Sequence, residues 1–168
     1  MPGQGMTFDE ERLNRLEACL ERMLTRGKAV AVLLADDQGQ PLGQVGAMSD
    51  KDRMALSTLA AGSFAATVAM AKLLGQEGRF EQLFFEGEEH GVYSLAVGEG
   101  LLLTIVFDSN AKPGLVRLLA QEAAKELVEM AQEGGEEGMG GSIEELIDGE
   151  FGESLADELD SLLSGERK

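Results

Sequence analysis

The stretch STLAAGSFAATVAMAKLLGQ, residues 57–76, carries a single charge, Lys72. Alanine and leucine dominate it and no proline interrupts it, so it reads as a helix. A surface helix normally hides one stripe and shows water the other, but this one has no polar face to show. Set at 100° per residue, Leu56, Leu59, Ser63, Thr67, Met70 and Leu74 fall on one side, with Ala60 and Ala71 beside them. That stripe is expected to lie on a sheet. On the opposite side Ser57, Ala61, Ala65 and Ala69 repeat at i, i+4, flanked by Phe64 and Val68. Rows of small side chains at this spacing let a second helix approach closely.

The segments around it supply the sheet. Thr7 and Glu10 frame a capping box before a helix whose Leu13, Leu16, Leu20, Met23 and Leu24 recur at helical spacing, with Gly27 ending the run. KAVAVLLAD (28–36) reads as a buried strand, DDQG (36–39) as a hairpin turn, and QPLGQVGA (40–47) as a weaker strand at an edge or a bulge. Ser49 and Asp50 suit the cap of the long helix, and Gly75 suits its C-terminal stop. Residues 80–108 hold three strands joined by the glycine-bearing loops GEEHG and GEG, and a last helix covers 115–133 with Leu115, Leu118, Leu119, Ala123, Leu127 and Met130 as its stripe. The order α-β-β-α-β-β-β-α with hairpin connections predicts an α/β (α+β) sandwich: a five-stranded antiparallel sheet with helices on both faces. One face then holds two helices and the other holds one. The lone helix keeps a bare apolar back, the mark of an interaction surface, most simply for a second copy of the chain.

Composition changes after residue 133. GGEEGMGG (134–141) reads as a glycine-rich linker, and residues 142–168 as an acidic tail. In that tail Phe151, Leu155, Leu159 and Leu162 sit at the spacing of a short amphipathic helix, suited to a partner's groove. Residues 134–168 contain eleven acidic and two basic residues, net −9, which leaves −8 of the chain's −17 on a domain spanning 1–133. A field of that sign repels phosphate backbones and anionic lipid, so neither nucleic acid nor a membrane surface is an expected partner. The apolar run LLLTIV (101–106) is too short to span a bilayer, and MPGQGMTFDEERL lacks the features of a signal peptide, so membrane insertion is not expected and the expected location is cytoplasmic.

The combination LAAG-x-x-AAT, AKLLG, F-x-x-x-F-x-EG and VFD-x-x-x-x-x-GLVRL, in that order over residues 7 to about 130, resembles the roadblock (dynein light chain) family, and its bacterial members most closely. The resemblance implies a roadblock fold and a homodimer in which the middle helices and an edge strand meet. It implies a small Ras-like GTPase as partner, whose hydrolysis is stimulated by reorganising its own catalytic residues, in bacterial cell polarity and motility. It also implies that partners can concentrate the protein at a cell pole. Carried over by position, the docking residues are Ala61, Ala65, Val68, Ala69 and Lys72, with Ser57 and Phe64 on the same helix. The tail from Gly134 onward shares only its acidity.

The residues themselves point away from self-contained catalysis. The phosphate-cradling G-x-x-x-x-G-K-[ST] run is absent. His90 is the one histidine, placed in a hairpin loop, and Cys19 is the one cysteine, on the first helix, so neither a catalytic pair nor a zinc set can be assembled. DDQGQPLGQ lacks the alternating ligands of a calcium loop. No cofactor is expected. Arg53, Arg79 and Arg117 are the candidates for a charge lent to a phosphoryl transition state, and each reads more simply as a packing or surface arginine. A scaffold that binds a GTPase without speeding it, and a small-molecule sensor, are the alternative readings.

Overall fold

The computed structural model describes residues 10–138. Thr7, and with it the capping box, lies outside the described residues, as do Phe151, Leu155, Leu159 and Leu162 of the tail. Among the described residues the elements are α1 (Glu10–Gly27), β1 (Ala29–Asp36), β2 (Pro41–Gly46), α2 (Asp50–Leu73), β3 (Gln82–Glu86), β4 (His90–Val97), β5 (Leu101–Asp108) and α3 (Pro113–Gly138). The chain divides into two units, residues 1–131 and 132–168. α3 runs on through Gly134 and Gly135 to Gly138, so the first half of the segment read as a linker is helical.

The five strands form one antiparallel sheet in the order β2-β1-β5-β4-β3. β1, β5 and β4 fill the middle, which explains the continuous apolar runs AVAVLLAD and LLLTIVFD. β2 is an edge strand, and its pairing with β1 shifts register between Leu34 and Ala35, opposite Pro41. β3 is the other edge.

Strand alternation sorts the core into two sides. Val32, Leu34, Tyr93, Leu95, Leu103, Ile105 and Phe107 point toward α1 and α3, meeting Leu16, Leu20, Met23, Val116, Leu119, Ala123 and Met130. α1 and α3 run antiparallel, tied at their surface by Arg22–Glu126 and Arg26–Glu122 ion pairs. Exposed pairs of this kind add little stability. They report the register of the two helices. Of the stripe expected on α3, Leu119, Ala123, Leu127 and Met130 are buried, joined by Val116 and Ala120, whereas Leu115 and Leu118 at its start are exposed. Gly27 ends α1 as expected, though without taking the left-handed conformation itself. It is the helix's last, buried residue, with Leu119 against it, and Lys28 takes the positive φ of 50° instead.

On the other side Leu102, Ala96 and Leu83 meet α2, the one described helix on that face. Ser49 caps it, its hydroxyl accepting from the Asp52 N–H at 3.1 Å. At the far end the Gly75 N–H bonds to the Lys72 carbonyl and the Gln76 N–H to that of Ala71, with Gly75 at φ 67°. This Schellman motif satisfies the last carbonyls and stops the helix where the sequence places its stop. By length and apolarity α2 matches a membrane-crossing helix, which the run at 101–106 does not reveal. A third of its apolar stretch is buried in this domain, and it serves as a layer of the sandwich.

Candidate functional site

α2 carries the candidate site, and its orientation differs from the expected one. The face against the sheet is Ser57, Ala60, Ala61, Phe64, Thr67 and Ala71, all buried. Leu59 and Met70, expected to lie on the sheet, are exposed, and so is Leu74. Ser57, Ala61 and Phe64, read as part of an outward ridge, therefore point inward. Ala65, Val68, Ala69 and Lys72 are exposed, as expected.

The reason is steric. Small residues on the inner face let the helix backbone settle close to β1 and β5, where Ala31, Leu33 and Leu102 stand. Phe64 is the one large side chain that inserts, into the space between Leu102, Leu83 and Ala96. The contact is also partly polar. The Thr67 hydroxyl donates to the Phe64 carbonyl at 2.7 Å, and the hydroxyls of Ser94 and Thr104 share a 3.1 Å bond across the sheet's α2-facing side. The buried Ser57 hydroxyl has no partner among the described residues.

Turning the helix this way leaves its large apolar side chains outside. Leu73 is 88% exposed, Leu59 67%, Met54 58% and Met70 48%, and Val68 is also exposed. Ala65, Ala66 and Ala69 lie among them, with the exposed Lys72 near the helix's end the one charge there. Leu59, Met70 and Leu73 are the residues that sequence reasoning missed on this face. The signal for them was faint: α2 is apolar all round, so periodicity does not choose a side, and only the preference for small residues at a close helix–sheet contact favours the observed one. At the sheet edge, Phe84 and Phe85 of β3 are about half exposed and the strand's outer backbone edge has no neighbour among the described strands.

The three arginines are engaged or turned away. Arg53 donates to the Gly46 carbonyl at 2.6 Å and pairs with Asp50 at 3.6 Å, which ties the start of α2 to the end of β2. Arg79 donates to the Gly98 carbonyl at 2.9 Å. Arg117 projects from α3, on the opposite side of the sheet from α2. His90 opens β4 as its first residue and is exposed. Cys19 is buried between α1 and α3, where burial first and the Glu126 carboxylate second push its thiol up to about 11. A thiol held so far from ionising is a poor nucleophile.

A five-stranded antiparallel sheet with two helices on one face and one long helix on the other, in this chain order, is the roadblock fold. The Roadblock/LC7 domain profile matches residues 15–107, more than half of the chain, and the chain belongs to this family. Three solved structures are similar over 76% of this chain. Myxococcus xanthus MglB is 31% identical with a TM-score of 0.70, and 95% of its chain is covered. An MglB with tetrameric arrangement is 36% identical, with a TM-score of 0.71 and 96% covered. The gliding protein MglB from Thermus thermophilus is 36% identical, with a TM-score of 0.67 and 95% covered. A search of curated proteins gives no match.

Proposed function

We propose that this chain is a homodimeric regulator that binds a small Ras-like GTPase of the MglA kind and stimulates its GTP hydrolysis, in bacterial cell polarity and motility. The observation that carries the reading is the outward face of α2, a largely apolar strip on the one described helix that covers its side of the sheet. An exposed strip of this kind marks an interaction surface. Similarity to MglB structures supplies the partner class, and the tetrameric arrangement named for one of them supports self-association.

In this reading two copies meet through α2 and the free edge of β3, and the paired helices form one rigid surface for the GTPase. Ala65, Val68, Ala69 and Lys72 dock it together with Leu59, Met70 and Leu73. Ser57, Ala61 and Phe64 hold the helix from beneath. The contribution to hydrolysis is positional: a stiff, dry surface against the switch segments favours the GTPase conformation competent for reaction. The carbonyl partners of Arg53 and Arg79 weigh against an inserted arginine. Such a protein acts in the cytoplasm and needs no cofactor.

The same surface also suits a scaffold that binds the GTPase without activating it. Single-turnover GTP hydrolysis with the cognate GTPase separates the two. A faster rate supports activation, and an unchanged rate with retained binding supports the scaffold. Loss of both binding and activation in the wild-type chain overturns the GTPase reading itself.

A further inference from the structure

Away from α2, a cleft of about 470 Å³ opens between the edge strand β3 and the first turn of α3, lined by Gln82, Phe84, Tyr93, Pro113, Gly114 and Arg117. Its floor holds an unusual group. Tyr93 is 3% exposed, and its buried hydroxyl has no hydrogen-bond partner among the described residues. Buried phenols normally find one, so this hydroxyl is a donor waiting for an acceptor. Burial raises its pKa, and the Arg117 guanidinium, by its charge and its approach to the phenol oxygen, opposes the rise, which sets the two groups side by side in the cleft.

The cleft's other features converge on one kind of ligand. α3 begins with Pro113, has no acidic residue in its first turn, and presents Gly114 to space where a Cβ would meet nothing within 4 Å. At this helix start Pro113 has no N–H and the Leu115 and Val116 N–H groups bond to the Lys112 carbonyl, so the Gly114 N–H and the helix dipole are what favour an incoming negative charge. Arg117 supplies a planar fork that matches a carboxylate. The wall is apolar: Phe84 is half exposed and stacks on Phe107 with ring centroids 5.9 Å apart. Gly91 permits that stack, because a Cβ there would fall 2.3 Å from the Phe107 ring.

We infer that this cleft binds a carboxylate carried on an apolar group, with the acid held by Arg117, the Tyr93 hydroxyl and the start of α3, and the apolar part laid against Phe84. One guanidinium and a helix end balance one negative charge. A phosphate dianion would face the field of a chain that carries −17 overall. The ligand is a small branched or aromatic acid, or the C-terminal carboxylate of a peptide that ends in an apolar residue. The cleft lies across the sheet from α2, and its wall residue Phe84 belongs to β3, whose outer edge meets the second copy in the proposed dimer.

Tyr93 is the chain's one tyrosine and there is no tryptophan, so intrinsic emission reports on this cleft directly. The full chain is titrated with 4-methylpentanoate and its amide, and with a short peptide ending in leucine as free acid and as C-terminal amide. A saturable change with an acid and not with its amide is expected. Saturation by the small acid assigns a free metabolite, and saturation by the peptide alone assigns a chain terminus. Arg117→Gln, an exposed position, weakens binding about tenfold or more, and Arg117→Lys falls between it and wild type. Tyr93→Phe, followed by calorimetry, weakens binding while the melting temperature holds. No saturable change with either acid, equal binding of acid and amide, or undiminished binding by Arg117→Gln each overturns the inference.

Discussion

Gly39 at the tip of the β1–β2 hairpin lies against the backbone of Thr58 in α2, so close that a Cβ on the glycine would fall 2.7 Å from the Thr58 Cα. The hairpin tip is shaped for this approach. The Asp36 carboxylate accepts from the N–H groups of Gln38 and Gln40 at 2.9 and 2.8 Å, and Gly39 takes a φ of 85°. Gly39→Ala is therefore expected to lower stability by about 2 kcal/mol, combining left-handed strain with a backbone clash. Urea denaturation measures it. Gly62→Ala, on the open side of α2 where a Cβ meets nothing within 4 Å, is the contrasting case and is expected to raise stability by roughly 0.5–1 kcal/mol.

Ala65 and Ala69 are exposed in the single chain, so an arginine at either position leaves the fold intact. At a dry helix contact the same arginine buries an unpaired charge, at a cost of about 3–5 kcal/mol. Ala69→Arg is expected to keep the wild-type melting temperature at low concentration and to lose GTPase binding by more than 100-fold. Normal binding and activation by a folded Ala69→Arg protein would place the docking surface elsewhere.

Arg53 bonds the Gly46 carbonyl and Asp50. Arg53→Gln is expected to cost about 1–2 kcal/mol of stability through the lost charge-assisted bond. Its maximal stimulation of GTP hydrolysis should stay within a few-fold of wild type. An inserted catalytic arginine would instead lose on the order of 10³–10⁵ in rate, so single-turnover kinetics at saturation decides the matter.

Cys19 makes alkaline stability pH-dependent. Its thiol ionises near 11 in the folded chain against 9.0 for an unperturbed thiol. The folded state therefore holds the proton longer than the unfolded one, and the contribution is fully present below about pH 9. It is lost as pH rises toward 11, on the order of 2 kcal/mol in all. Cys19→Ala should flatten that part of the stability–pH curve. Thiol labelling of the folded wild type at pH 8 should track unfolding.

Much of the architecture was legible in local chemistry. The apolar runs of β1 and β5, the turn residues at 36–39, and the Ser49 and Gly75 ends of α2 each encode their structure within a few neighbouring residues, because caps, turns and strand alternation are short-range effects. Motif order over residues 7 to about 130 carried the family resemblance. That a lone helix would keep an apolar back also followed from counting elements.

Which side of α2 forms that back did not follow. A helix apolar all round gives periodicity nothing to distinguish, so the choice fell to the fit of Ser57, Ala60, Ala61 and Ala71 against the sheet and of Phe64 into one gap in it. The same holds for the cleft at Arg117. Its floor, wall and rim come from β4, β3 and α3, and only the sheet order β2-β1-β5-β4-β3 brings them together. Sequence determines a residue's local conformation through its neighbours along the chain, whereas the face it shows is decided by packing among elements far apart in sequence.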